Sequence, residues 1–212
     1  MKYIKRVLIV LAVILAALLL IVGSIFLFLK FTTWGFARQV SAEEQALRLE
    51  VVATAEKWLG SDEGQEKHLQ LIEIYNAHEP LAQGYAVTAE DNWCAAFGSS
   101  VAIQCGITDI FPTECGCERQ IGLWQSLDCW EENDNYMPLP GDYIYYAWDE
   151  KFSFGDCTGW ADHVGIVVGT AGPFIKVIEG NRNDTVGYRI ILRGDWQIRG
   201  YGLPDYAALC GE

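Results

Sequence analysis

The feature that most constrains this chain is an apolar run over residues 7–29, in which only Gly23 and Ser24 are not strongly apolar and no side chain is charged. At a rise of ~1.5 Å per residue, a helix of that length spans the roughly 30 Å hydrocarbon core of a bilayer. The run therefore predicts a transmembrane helix over 7–29, preceded by a short cytoplasmic tail over residues 1–6.

The charges beside this run predict its orientation. Lys2, Lys5 and Arg6 precede it and Lys30 follows it. The positive-inside rule then places the N-terminus in the cytoplasm and the rest of the chain outside. We expect a single-pass protein of the cell membrane with an extracellular domain. The alternative is a cleaved secretory signal, whose apolar stretch is normally shorter, at ~7 to 15 residues.

The part of the chain beyond this helix is strongly acidic. Residues 1–30 carry four basic and no acidic side chains, whereas the whole chain has 15 and 28, so residues 31–212 have a net charge of −17. A surface of that sign repels nucleic acid, and we expect no nucleic-acid partner. The membrane helix is the expected means of localisation.

Seven cysteines follow the predicted membrane helix, namely Cys94, Cys105, Cys115, Cys117, Cys129, Cys157 and Cys210. In an oxidising compartment six of them could form three disulfides and leave one free thiol. The spacing does not determine the pairing or identify the free thiol. A zinc site is the competing use, but Cys115 and Cys117 lack the two-residue spacing of common zinc knuckles and the chain has only three histidines.

The pattern after residue 30 changes from helical to extended. A tether is expected over 30–40, and Ser41 with Glu44 forms a capping box for the first helix beyond it. Helices are predicted over 41–60, 64–76, 91–106 and 118–127. Strands are predicted over 143–148, 163–169, 174–179, 187–192 and 197–201. Helices followed by antiparallel strands predict an α+β domain.

Cys94 occupies the position most favourable for a nucleophile. If its helix begins at Asp91 or Asn92, the thiol lies in the first turn, where unpaired N–H groups and the helix dipole favour the thiolate. A buried disulfide cysteine is the common alternative. A thiolate that attacks a carbonyl needs an acid/base partner, and His163 at the start of an apolar strand is the candidate.

Two polar residues at the end of the next strand could orient the His163 imidazole. Glu179 and Asn181 share one face of that strand because side chains alternate. They meet His163 only if the register places His163 opposite Asn181, which needs an odd-length connection, and a shift of one residue turns Glu179 to the other face. The remaining histidines, His68 and His78, lie in polar surroundings and are predicted to be exposed.

The order of these residues resembles that of a known family. The segments are NWCAAF at 92–97, PGD at 140–142, DHVGIV at 162–167 and VIEGN at 177–181. Over roughly residues 80–206 they resemble the CHAP family of cysteine, histidine-dependent amidohydrolases/peptidases. The resemblance implies a papain-like fold for a catalytic domain over 80–212, a helical extension over 41–79, and cleavage of amide bonds in peptidoglycan.

The resemblance also implies roles for the candidate catalytic residues, which are Cys94, His163, Glu179 and Asn181. The cysteine is the nucleophile, the histidine is the general base and then the acid, and the other two hold and polarise the imidazole. The Cys94 backbone N–H and Asn92 are the candidate oxyanion donors. The second donor is less defined, because Trp93 stands where some relatives have glutamine.

Three tryptophans, Trp93, Trp148 and Trp160, are candidates to line a substrate groove, with core packing as the alternative. Some relatives bind calcium through an Asp-x-Asp cluster before the cysteine. Here only Glu90 and Asp91 stand there, so we expect no metal and no cofactor.

Three functions are open at this stage. The first is a membrane-anchored peptidoglycan hydrolase, acting as a stem-peptide endopeptidase or an N-acetylmuramoyl-L-alanine amidase through an acyl-thioenzyme. The second is a non-catalytic binding or scaffold module of the cell envelope. The third is a cysteine amidase with another substrate. Peptidoglycan and the membrane are the expected partners, and the residues identify no further envelope component.

Overall fold

The computed structural model describes residues 2–148 and 157–211 and divides the chain into two units, Met1–Thr33 and Trp34–Glu212. Helix α1 (Lys2–Phe31) makes up almost all of the first unit. Within it, Tyr3–Leu29 is long and apolar enough to cross a membrane. A helix of membrane-spanning length is therefore present where the sequence predicts one.

The second unit is an α+β structure, as predicted. Its α-helices are α2 (Ala42–Glu56), α3 (Glu66–Asn76), α4 (Cys94–Gln104), α5 (Cys117–Ser126) and α6 (Tyr206–Cys210), with a 3-10 turn at Ala82–Gly84. Its strands are β1 (Trp130–Glu131), β2 (Tyr143–Tyr146), β3 (His163–Ala171), β4 (Phe174–Glu179), β5 (Gly187–Leu192) and β6 (Ile198–Gly202). The strands form one sheet in the order β1-β6-β2-β3-β4-β5, with every neighbouring pair antiparallel.

Helix α4 lies in the core of this unit. Every residue from Cys94 to Ala102 is buried, which is possible because alanine, glycine and serine fill most of these positions and let neighbouring elements approach closely. At Gly98, an added Cβ would lie 3.0 Å from a ring carbon of Tyr143 on β2. The small residues thus place the start of α4 close to the sheet.

Only one of the two hydrogen bonds of the predicted capping box of α2 forms. The Ser41 hydroxyl accepts a 3.2 Å bond from the Glu44 N–H, whereas the Glu44 carboxylate accepts a 2.6 Å bond from Arg48. Arg48 is 5% exposed and also donates to the fully buried carboxylate of Asp142 at 2.7 Å. This buried ion pair ties α2 to the residue just before β2.

Two segments that precede the predicted domain over 80–212 form backbone hydrogen bonds with it. Gly35, within the expected tether, pairs with Thr170 on β3. In the loop between α2 and α3, Asp62 forms an isolated bridge with Thr185, and the Gly60 N–H donates to the Val186 carbonyl at 3.0 Å. That loop therefore supports the segment between β4 and β5.

The prediction that His68 is exposed is wrong. His68 is fully buried on the face of α3 that also carries Ile72 and Tyr75, its ring lies 4.5 Å from that of Trp93, and its Nδ1 accepts from the Gly64 N–H. The Gly64 N–H thus satisfies Nδ1 of the buried imidazole, whereas Nε2 is buried without a hydrogen-bond partner.

The three-disulfide arrangement is not formed in this structure. Cys94, Cys105, Cys115, Cys117 and Cys129 are all thiols. The sulfurs of Cys94 and Cys117 lie 3.6 Å apart. The candidate nucleophile therefore has a second thiol as a neighbour.

Candidate active site

Helix α4 begins at Cys94, with Trp93 rather than Asp91 or Asn92 at the capping position and no side chain capping the helix. Cys94 is therefore the first helical residue, and its backbone N–H belongs to the first turn, whose N–H groups lack acceptors within the helix. The thiol lies at the positive end of the helix dipole, which favours a negative sulfur.

A second helix begins at the same place. Cys117 is the first residue of α5, and its sulfur lies 3.6 Å from that of Cys94. Two helix N-termini therefore converge on one pair of sulfurs, and both dipoles favour negative charge there. This position of Cys117 was not predicted, because the sequence pattern placed the start of α5 at residue 118 and does not show which helix ends meet.

The contact between the two thiols divides the proton unequally. The pKa of Cys94 lies well below its usual value, first because Cys117 shares a hydrogen bond with its sulfur and then because His163 supplies a hydrogen bond and positive charge, which together outweigh burial. The same bond to Cys94, followed by burial, raises the pKa of Cys117 well above its usual value. The contact with Cys117 and the charge of His163 therefore favour the thiolate form of Cys94.

His163 opens strand β3 and is 7% exposed. Burial lowers the pKa of its imidazole, but the adjacent Cys94 sulfur and Glu179 carboxylate outweigh burial and raise the pKa to about 9. The imidazole is therefore protonated at neutral pH. Together with Cys94 it forms a thiolate–imidazolium pair, the state in which a cysteine nucleophile is ready to attack.

Glu179 ends strand β4 and is fully buried. Its Oε2 lies 3.3 Å from Nε2 of His163, and its Oε1 accepts a 2.5 Å bond from Nε of Arg189 on β5. Burial raises the pKa of this carboxyl group, but His163 and Arg189 outweigh burial and hold the pKa below its usual value. Nε of Arg182 lies farther from the carboxylate, at 3.7 Å. Neither arginine was predicted as part of the site.

A β-bulge sets the register that brings His163 and Glu179 together. The pairing of β3 with β4 shifts at Val168, and beyond the bulge Ile166 lies opposite Ile178. Extension of that register places both side chains on one face of the sheet. The turn itself contains two residues, so without the bulge the connection would be even in length and Glu179 would face the opposite side.

The position directly across from His163 in this extended register belongs to Asn181, as the hypothesis required. Asn181 nevertheless turns its amide elsewhere, because its Nδ2 donates to Oδ1 of Asn92 at 3.3 Å. Its backbone has a φ of 54°, in the left-handed region. The structure therefore brings Cys94, His163 and Glu179 together and places Asn181 beside Asn92, the candidate oxyanion donor. This bond leaves both N–H groups of Asn92 to other acceptors.

An open groove of about 360 Å³ lies beside Cys94. Its lining combines the start of α5 with the segment before β3 and includes Asn92, Cys117, Glu118, Arg119 and Asp162. The Glu118 carboxylate accepts from the Ala161 N–H at 2.9 Å, which joins the two sides of the groove. A ligand in the groove would meet cationic and anionic side chains close to the thiolate.

The three candidate tryptophans occupy different environments. Trp160 lines the groove and is 72% exposed. The half-buried Trp148 lies 5.8 Å from the His163 ring, between centroids, and the Arg189 guanidinium lies 4.7 Å from its centroid. Trp93 is fully buried and its Nε1 donates to Glu63, so it belongs to the core and not to the groove surface.

Residues 2–148 and 157–211 contain no group of three or more histidine, cysteine, aspartate or glutamate side chains arranged to hold a metal. The Asp91 carboxylate, three residues before Cys94, accepts from the Thr88 N–H at 2.7 Å and from the Tyr85 hydroxyl at 2.8 Å. Asp91 therefore organises its own turn.

The chain is distantly similar to a solved structure. It matches no protein-family model and no curated protein sequence. The solved structure is described as "The crystal structure of Ly7917", and the likeness has a TM-score of 0.40 and 14% sequence identity, covering 74% of this chain and 62% of that one. The chain therefore spans less than two thirds of that structure, and the likeness carries no argument about function.

Proposed function

We propose that this chain is a membrane-anchored cysteine amidase or peptidase of the CHAP type, with a papain-like catalytic fold, that cleaves amide bonds of peptidoglycan. The observation that carries the proposal is the series of buried contacts from Glu179 to His163 and from His163 to Cys94, which lines an open groove. A binding module has no need for a thiolate stabilised by an imidazolium and two helix ends.

The reaction follows from the charges of the Cys94 thiolate, the His163 imidazolium and the Glu179 carboxylate. The Cys94 thiolate attacks the carbonyl carbon of the scissile amide, and the imidazolium of His163 gives its proton to the leaving nitrogen as the C–N bond breaks. An acyl-thioenzyme remains and His163 is neutral. His163 then takes a proton from water, the hydroxyl adds to the acyl carbon, and the C–S bond breaks to restore the thiolate. Glu179 stays ionised throughout and holds the imidazole.

The oxyanion formed at each addition needs donors near Cys94. The backbone N–H of Cys94 is one, because it lies in the first turn of α4. Asn92 is proposed as the second, because it lines the groove and its bond from Asn181 uses its oxygen and not its amide hydrogens. Asn181 thus acts as the residue that orients Asn92.

Peptidoglycan is proposed as the substrate for two reasons. The helix Tyr3–Leu29 and the basic residues before it favour a chain anchored in the cell membrane with its second unit outside. The groove offers both Arg119 and Asp162, which suits stem peptides that carry carboxylates and amines. A cysteine amidase acting on a different amide outside the cell is the alternative.

The test of activity is digestion of purified peptidoglycan by the full chain in detergent, with soluble products identified by mass. Cys94→Ala should abolish release, while Cys129→Ala, which removes a thiol elsewhere in the chain, should preserve it. New termini in the products distinguish endopeptidase from amidase cleavage. Release that persists in Cys94→Ala would contradict the mechanism, and intact walls from several cell-wall chemistries would exclude this substrate.

The single-pass topology needs a test of its own. Protease added to intact cells should digest the second unit and leave a fragment that contains α1. A second unit that is digested only after cell lysis would contradict the proposed orientation. Release of the second unit into the medium without α1 would instead indicate a cleaved signal.

A further inference from the structure

The mechanism uses the thiolate of Cys94 but not the reactivity of Cys117, whose sulfur lies 3.6 Å away. Two sulfurs in a disulfide are about 2.05 Å apart, so a small side-chain movement separates this contact from a covalent bond. Both residues are buried, at 4% and 8% exposure, yet both line the groove. A small molecule in the groove would therefore lie beside both cysteines.

We propose that Cys94 and Cys117 form a reversible disulfide that removes the nucleophile from catalysis, with a small-molecule disulfide as the oxidant and a small thiol as the reductant. The regulatory consequence rests on the proposed function, whereas the disulfide itself does not. Such a device fits an exported domain, because oxidising surroundings favour disulfides between thiols in contact.

The chemistry has a defined direction. The Cys94 thiolate attacks one sulfur of the small disulfide, forms a mixed disulfide and releases one small thiolate. Cys117 then loses its proton to that thiolate and attacks the Cys94 sulfur, which releases the second small thiolate, protonated by solvent. In total, two protein thiols are oxidised to one disulfide and one small disulfide is reduced to two small thiols. An excess of small thiol reverses both steps.

The neighbouring cysteine is directed away from this pair. Cys115 lies two residues before Cys117, but its sulfur contacts the Glu114 carboxylate at 3.6 Å, and that carboxylate also accepts from the Cys115 N–H at 2.8 Å. Burial raises the pKa of Cys115, and the Glu114 carboxylate adds to this effect, so that together they outweigh the opposing hydrogen bond with Tyr75. The geometry therefore selects Cys117 as the partner, and Cys115 is the matched control.

A disulfide here would also protect the enzyme. A low-pKa thiolate is the form of cysteine that oxidants convert to sulfenic and then irreversibly to sulfinic acid. Attack by Cys117 on a Cys94 sulfenic acid gives the same disulfide and releases water. The pair thus stores the nucleophile in a form that thiols can restore.

The experiment equilibrates the full chain in detergent with oxidised and reduced glutathione at graded ratios, and blocks the remaining thiols by alkylation. A protease that cleaves after glutamate separates peptide 91–114, with Cys94 and Cys105, from peptide 115–118, with Cys115 and Cys117. Mass spectrometry then measures the fraction of linked peptides, and release of soluble peptidoglycan fragments is measured on the same samples.

The linked species should appear as the ratio becomes oxidising and disappear on addition of thiol. It should form in Cys105→Ala and Cys115→Ala but not in Cys117→Ala. Peptidoglycan release should fall in proportion to the fraction of linked peptides in the unmodified chain.

The possible outcomes separate the two proposals. If Cys94 stays free or carries only glutathione at every ratio, or pairs through Cys115, the disulfide inference is overturned even when the reduced chain digests peptidoglycan. If the Cys94–Cys117 link forms but the reduced chain digests nothing, the disulfide stands and the proposed function fails. Link formation without loss of activity would overturn the regulatory role.

Discussion

Glu179 is shared between His163 and Arg189, with one carboxylate oxygen 3.3 Å from the imidazole Nε2 and the other 2.5 Å from the guanidinium Nε. A fully buried carboxylate is costly unless cations and donors compensate its charge. Because Arg189 compensates much of that cost, Glu179 can remain ionised while His163 gains and loses a proton. The arginine therefore separates the orienting role of the carboxylate from the proton transfer.

Alkylation of Cys94 by iodoacetamide should persist at a pH where ordinary thiols are almost unreactive. The contact with Cys117 and the charge of His163 hold the pKa of Cys94 well below its usual value, whereas an unperturbed thiol titrates at about 8.5. The rate of modification of each cysteine peptide, followed by mass from pH 5 to 10, measures this difference.

Cys129 is an internal control for that experiment. Burial, followed by the charges of Asp205 and Asp128, raises the pKa of Cys129, so its rate should rise only at alkaline pH. Identical pH profiles for Cys94 and Cys129 would contradict the thiolate–imidazolium pair.

Hydrolysis should decline as the pH rises through about 9, where His163 loses its proton. Glu179→Gln removes a charge that raises the pKa of His163, so the decline should move to lower pH. The rate at neutral pH should fall by about 100-fold, within the range for general acid–base catalysis. A pH–rate profile of peptidoglycan release for both proteins measures these effects.

Glu73→Gln, at an exposed carboxylate on α3, should leave that profile unchanged. Protonation of His163 also stabilises the folded second unit, because the pKa of its imidazole rises from 6.5 to about 9 on folding. Its contribution to stability is complete below pH 6.5 and is lost as the pH approaches 9. A Glu179→Gln profile superimposable on that of the unmodified chain would exclude the proposed role of the carboxylate.

Replacement of Arg189 should destabilise the second unit more than replacement of Arg182. Arg189→Gln removes the closest cation from a buried carboxylate and should cost about 1–3 kcal/mol. Arg182 lies 3.7 Å from the same carboxylate with 34% of its side chain exposed, so Arg182→Gln should cost less than about 1 kcal/mol. Urea denaturation of the full chain in detergent, followed by tryptophan fluorescence, compares the two variants. Equal costs would show that Arg189 has no special part in compensating Glu179.

A methyl group at Gly165 should displace the side chain of Glu179. An added Cβ there would lie 2.5 Å from Cγ1 of Val177 and 2.8 Å from Cγ of Glu179. Gly165→Ala should therefore cost about 1–3 kcal/mol of stability and should also lower the pKa of His163. Urea denaturation and the pH–rate profile measure the two effects.

Gly122→Ala is the matched control, because an added Cβ on that face of α5 meets nothing within 4 Å. Since alanine favours helix over glycine, this variant should gain about 0.5–1 kcal/mol. If Gly165→Ala keeps full activity and an unchanged pH profile, the contact with Glu179 does not control the imidazole.

The parts of the site that were predictable from the sequence are those encoded locally. Cys94 follows a helix-start signal, and His163 and Glu179 lie at the ends of strands that apolar runs identify. The bulge at Val168 was not predictable, because a register shift depends on how the two strands pair. The role of Cys117 was also hidden, since its sulfur reaches that of Cys94 only because the starts of α4 and α5 meet. The role of Arg189 depends on the register of β5 against β4, which places Arg189 opposite Val177 and so on the same face as Glu179.

The misassigned residues show the same limit. His68 was predicted to be exposed because its surroundings in the sequence are polar, and Trp93 was a candidate for the groove with core packing as the alternative, yet the two rings pack against each other in the core. Burial of an aromatic or titratable side chain depends on which faces meet. Single-sequence periodicity gives the faces but not their partners.

The buried pair of Arg48 and Asp142 limits where the N-terminal end of this chain can be truncated. A fragment starting at residue 80, where the family resemblance begins, lacks Arg48, which is the cation paired with Asp142, and also lacks the core residues of α2 and α3, namely Val51, Ala55, Leu71, Ile72 and Tyr75. Loss of the packing of a single core leucine or isoleucine costs about 2–5 kcal/mol. It would also lose the bridge from Asp62 to Thr185, which supports the loop after Glu179. Because whole domains are stable by only about 5–15 kcal/mol, truncation at the boundary of the resemblance should yield an unfolded polypeptide. A fragment that keeps the candidate site must therefore include helices α2 and α3.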